Sequence, residues 1–107
     1  MRLLAALTLA AAAATVLAAG EPEFSLVIEG HKFAPDRIEI PAGKKVKLLV
    51  ENRDAAAEEF ESEMLKVEKV IPGKGRAVLF VGPLRPGEYK FEGEYNATTA
   101  QGVVVAK

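Results

Sequence analysis

The sequence predicts an all-β domain: two sheets packed face to face, built from about seven short strands and preceded by an export signal. Three observations predict it. After Glu21 the chain runs as short segments in which apolar and polar residues alternate, the period of a half-buried strand. Turn residues, such as Pro41-Ala42-Gly43, Pro72-Gly73 and Pro86-Gly87, separate these segments. No single inward-facing set is large enough to be a core, so two sheets must bury them together.

The elements follow in chain order. Residues 1–20 carry Arg2 and then an Ala/Leu run with no acid. That is the layout of a secretory signal peptide, with cleavage after Ala18, Ala19 or Gly20. The alternative is an uncleaved anchor, but the apolar run barely reaches the ~18–20 residues that span a bilayer. Residues 21–107 form the predicted domain, expected in the periplasm or secreted and not inserted in a membrane after cleavage. "FSLVIEG" places Phe24, Leu26 and Ile28 on one face, and "DRIEIPAG" does the same for Ile38 and Ile40 before Pro41 breaks the run. "KKVKLLVEN" turns Val46, Leu48 and Val50 inward and Lys45 and Lys47 outward. "LKVEKVIPG" alternates through Leu65, Val67 and Ile71, and "RAVLFVG" is nearly continuous apolar, as in a central strand. "PLRPGEYKFEG" turns Tyr89 and Phe91 inward, and "GVVVA" closes the chain. The segment "NRDAAAEEFESEML" fits two patterns. Its alanines and glutamates favour helix, with Asp54 as N-cap, but Glu59 and Glu63 would then repel along one face. A loop or short helical turn over 54–58, followed by an extended run, is expected.

Composition removes several classes of function. Losing residues 1–20 takes away Arg2 and no acid, so the domain is slightly more acidic than the formal −1 of the whole chain. No basic excess marks a nucleic-acid partner. There is no cysteine, hence neither a disulfide nor a thiolate ligand. No nucleophile context and no phosphate-cradling glycine loop is present, so an enzyme is not expected. Asn96 begins a glycosylation-type sequon, "NATT". The side chains that could hold a metal are few. His31, the only histidine, could supply an imidazole, or could be a solvated loop residue. Met64 offers a soft thioether, or fills the core. Glu58, Glu59, Glu61 and Glu63 crowd one stretch, with Glu94 near the end of the chain. Such carboxylates form a solvated face or hold a hard or borderline cation.

Three blocks resemble one family. "IPAGKKVKLLVEN", "GPLRPGEYKFEG" and "TAQGVVVA" look like the Pro-Ala-Gly block, the Pro-Gly-x-Tyr-x-Phe strand and the last strand of the cupredoxins. With "FAPDRIEI" and "EEFESEMLKVEKVIPG" between them, the chain is similar to the EfeO-type cupredoxin-like domains over roughly residues 24–106. That resemblance implies a cupredoxin-like Greek-key β-sandwich with a metal site beside the loop before the last strand. In the blue-copper members that site uses Cys, His and often Met. Here Gly93 stands at the Cys position, Glu59 or Glu58 near the upstream His, and Asn96 where EfeO-type members keep a His. A type 1 copper centre is therefore excluded. The ligand set left by this comparison is His31, Glu59, Glu61, Met64 and Glu94. The ion it implies is copper or iron, and the implied partner is a membrane permease or another periplasmic metal-uptake component. The competing expectation is a module that has lost its metal and acts by binding a protein.

Overall fold

The computed structural model describes residues 20–107, so the predicted signal peptide lies outside the described residues apart from Gly20. Among the described residues nine strands form two sheets: β1 (Glu23–Glu29), β2 (Lys32–Ala34), β3 (Arg37–Ile40), β4 (Val46–Asn52), β5 (Glu58–Ser62), β6 (Val67–Ile71), β7 (Arg76–Val81), β8 (Gly87–Gly93) and β9 (Gln101–Ala106). The first sheet has the order β2-β1-β4-β7 and the second β3-β9-β8-β5-β6. Pairing is antiparallel except between β1 and β4 and between β3 and β9. The result is the expected all-β sandwich.

Alternation sets the inner faces. Val46, Leu48 and Val50 are fully buried, as are Ile28 and Phe60, and Leu26, Ile38, Ile40 and Phe91 join them. Three rings fill the middle. Phe60 stacks on Phe91 with centroids 4.8 Å apart, and Phe33 meets both edge-on, at 5.9 and 5.0 Å. Phe33 enters from β2, a strand that the sequence pattern does not single out, because three residues are too few to show a period.

One expectation is corrected. The "RAVLFVG" run is β7, which is an edge strand and not a central one. Its Val78 and Phe80 point outward and are about half exposed, with Lys45 Nζ 4.7 Å from the Phe80 ring centroid. An apolar outward face reads the same as burial on both sides in a sequence, because composition does not report what covers it. The loop expected before an extended run is present: residues 54–56 form bends, and the run that follows is β5. Buried Asn52 explains the bends. Its Nδ2 donates to the carbonyls of Ala56 and Ile71 at 2.9 and 3.2 Å, while its Oδ1 accepts from Asp54 N at 3.0 Å. Those bonds satisfy the backbone outside a helix, which a residue with a short amide favours.

β8 and β9 carry the second sheet's long pairing, from Gly87↔Ala106 to Glu92↔Gln101. Gly102 lies under the Phe91 ring: a Cβ there would stand 2.2 Å from Phe91 Cζ. Gly102→Ala must push this ring into the neighbouring Phe60 and is expected to destabilise the domain by about 1–3 kcal/mol, the usual cost of overpacking. Chemical denaturation checks this, and an unchanged midpoint would refute it.

Candidate metal centre

β5 decides which glutamates meet. Successive side chains on a strand alternate, so Glu58, Phe60 and Ser62 point into the sandwich while Glu59 and Glu61 stand on the outer face of the sheet. Register places Glu61 opposite Glu68 of β6 on one side and Glu92 of β8 on the other. Directly opposed like charges disfavour strand pairing, yet three carboxylates stand in one row. At the end of β8 a single 3-10 turn, Glu94–Asn96, bends the chain back over β5. It brings Glu94 to Glu59 and Glu61, so that one ligand atom from each of the three lies within 4.8 Å of the others. No ion pair among the described residues involves Glu59, Glu61, Glu68, Glu92 or Glu94.

Glu59 is 9% exposed and its Oε1 is buried without a hydrogen-bond partner. Buried polar atoms are nearly always satisfied, so an orphan oxygen within a carboxylate group calls for a proton or a cation. The electrostatics agree. The Glu59 pKa is pushed up to about 7, chiefly by the Glu94 carboxylate, to which a protonated Glu59 can donate, then by burial and by Glu68. Glu61 is raised for the same first reason, Glu94. Glu94 is lowered, because hydrogen bonds from Glu59 and Glu61 favour its ionised form. Without a cation, Glu59 holds its proton well above the ordinary carboxylate range.

The other residues singled out from the sequence lie elsewhere. His31 sits at φ +59° in the β1–β2 turn, half exposed, with Nδ1 3.7 Å from Asp54 Oδ2, and is not part of the carboxylate group. Asp54 accepts from the backbone N–H groups of Gly30 and His31 at 2.8 and 2.9 Å, which holds that turn and lowers the Asp54 pKa. Met64 is on the turn after β5, 53% exposed. It borders an open groove of about 720 Å³ that also contains Glu61, Arg37, Lys90 and Glu92.

A second cluster forms on the inner side. Glu58 is 1% exposed. Its Oε1 accepts from Glu59 N at 3.0 Å and Tyr95 N at 2.9 Å, and its Oε2 accepts from Asn96 Nδ2 at 2.7 Å. A Cβ on Gly93 would stand 2.7 Å from Glu58 Cδ. Gly93 and Asn96 are the positions where the family resemblance placed the Cys and the His of the EfeO-type members, and Glu59 or Glu58 stood near the upstream His. Of these two glutamates, Glu58 is the inward one. The signal was available: Phe60 must be buried, and Glu58 shares its face by period 2.

The cupredoxin-like domain model matches residues 1–106, nearly the whole chain. The chain belongs to the cupredoxin-like domain family. This cupredoxin-like domain is 36% identical over 83 residues to an uncharacterized protein of Rickettsia prowazekii (strain Madrid E), an alignment that covers 78% of this chain and 66% of that one, just under two thirds of its length. Its fold is similar to the metal-binding domain of the Cu(I)-exporting P-type ATPase CopA of Streptococcus pneumoniae D39, solved with Cu(I). There the TM-score is 0.68 at 14% identity, covering 79% of this chain and 84% of that one. Auracyanin A, a blue copper protein of Chloroflexus aurantiacus, matches with TM-score 0.67 at 14% identity, over 82% of this chain and 100% of that one. The purple cupredoxin of Nitrosopumilus maritimus matches with TM-score 0.61 at 17% identity, over 78% and 98%. At these identities the likeness is one of fold. The cupredoxin-like domain itself does not fit a type 1 copper ion: it has no thiolate, and the Glu58 carboxylate lies against Gly93 and Asn96.

Proposed function

We propose that this chain is an exported, periplasmic cupredoxin-fold protein that binds a transition-metal cation, copper or iron, through Glu59, Glu61 and Glu94. It acts as a carrier or accessory in metal uptake, as its resemblance to the EfeO-type domains implies, and hands the ion to a membrane permease or another periplasmic component. The observation that carries the reading is Glu59 Oε1, buried and unpartnered beside two further carboxylates. Three oxygen donors suit Fe(II), Fe(III) or Cu(II) better than Cu(I), which prefers sulfur. The filled inner pocket favours the second reading, a metal-free module that binds a protein. Isothermal titration of the exported protein with Fe(II), Mn(II), Cu(II) and Cu(I) separates the two. Expected is a dissociation constant of about a micromolar or tighter, about −8 kcal/mol, for at least one of the oxygen-preferring ions and weaker binding of Cu(I). Failure of every ion to bind at that level overturns the carrier reading and leaves the second.

A further inference from the structure

We propose that Glu58 is the positioning residue of the cation site: its buried carboxylate ties the backbone at Glu59 to the turn that carries Glu94. The inference rests on the three-carboxylate site proposed above. Glu58 cannot itself join Glu59 and Glu61 around an ion, because adjacent strand residues face opposite sides of the sheet. It acts through the backbone instead.

The geometry is economical in atoms. A single oxygen, Glu58 Oε1, accepts from Glu59 N and from Tyr95 N. One of these amides belongs to a ligand-bearing residue and the other directly follows one, so the two sides of the site are referred to one point. The other oxygen, Oε2, takes Asn96 Nδ2 at 2.7 Å and holds the far end of the turn. On the near side, Gly93 N donates to Ala100 O at 2.8 Å, and Gly93 pairs with Phe60. Glu94 is thus held between two anchored residues. Tyr95 makes no such anchor with its ring, which is exposed. Gly93 is required at its position because a Cβ would come within 2.9 Å of Oε2 and evict the carboxylate. A buried carboxylate surrounded by three N–H donors is a stable arrangement. It needs no cation. The cation site and the carboxylate that positions it lie on opposite faces of β5.

The test is Mn(II) titration of the full domain, with Glu58→Leu and Glu58→Gln compared to wild type. Leucine at position 58 keeps bulk and removes both acceptors. Glutamine keeps the oxygen that holds the two backbone N–H groups, and the Asn96 amide can turn over to accept from its NH2. Expected for Glu58→Leu is affinity weakened about 10–100-fold, the usual effect of losing a group that orients ligands, with far-UV circular dichroism retained. Glu58→Gln should retain most of the wild-type affinity. Wild-type affinity in a folded Glu58→Leu variant overturns the proposal, and so does a Glu58→Gln variant as weak as Glu58→Leu. Should Glu58→Leu not fold, Asn96→Ala decides by the same criterion: unchanged affinity overturns the proposal, and weakened affinity in a folded domain supports it. A metal-free readout keeps the two readings apart. In apo protein, nuclear Overhauser contacts between the methylenes of Glu94 and those of Glu59 and Glu61 should vanish in Glu58→Leu and persist in Glu58→Gln. If wild type binds no ion, the site reading falls, and these contacts alone decide whether Glu58 positions Glu94.

Discussion

Phe60→Ala is expected to destabilise the domain by about 3–5 kcal/mol, the range for deleting a buried ring. Phe60 is fully buried on β5, an inner strand of the site-bearing sheet, stacked on Phe91 at 4.8 Å and met edge-on by Phe33. Three strands, β2, β5 and β8, lose their common contact at once. Whole domains are stable by only about 5–15 kcal/mol, so the loss is a large share of the total. For a domain of this size the midpoint of thermal unfolding should fall by roughly 12 °C or more, read by circular dichroism. Phe60→Leu leaves a smaller cavity and should lie between alanine and wild type. A fall of only a few degrees for Phe60→Ala would mean that the ring cluster is not the centre of the core.

The second large effect is on pH dependence. Glu59 has a folded pKa of about 7 against an ordinary 4.5, set first by Glu94, then by burial and Glu68. A carboxyl raised on folding stabilises while protonated. Its contribution is complete below about pH 4.5 and is lost as pH rises through about 7. Glu61, also raised, acts in the same sense. Glu94, lowered, acts in the opposite sense and only as pH falls below its usual range. The metal-free protein, held in chelator, is therefore expected to melt at a lower temperature at pH 8 than at pH 5. A bound cation reverses the sign, because it replaces the protons and binds more tightly as they leave. Glu59→Gln should flatten the metal-free profile and weaken cation binding at least tenfold, since even groups behind a ligand are worth that much. A midpoint that holds steady or rises from pH 5 to pH 8 in wild-type apo protein would overturn this account of the trio.

The inner faces were legible because burial follows a simple period. Val46, Leu48 and Val50, and later Tyr89 and Phe91, alternate with polar neighbours, and each lies where that alternation puts it. The edge position of β7 was not legible, since Val78 and Phe80 look the same in sequence whether covered or bare. The chain-local part of the site was also readable: with Phe60 inward, Glu59 and Glu61 must share the outer face. Glu94 was readable as a candidate from its place in the final hairpin, but its approach to them depends on a turn that Glu58, 36 residues earlier in the chain, holds in place.

Local composition and period by themselves determined an all-β domain, its inward residues and the impossibility of a thiolate copper site, because each depends on residue type or on neighbours along one strand. Tertiary structure alone decided that Glu68, Glu61 and Glu92 stand in one row, that Glu94 joins Glu59 and Glu61, and that Glu58 turns inward to hold Tyr95 and Asn96. Those facts rest on register and on hydrogen bonds between segments far apart in the chain. No local preference specifies them; the packing of β5 between β6 and β8 does.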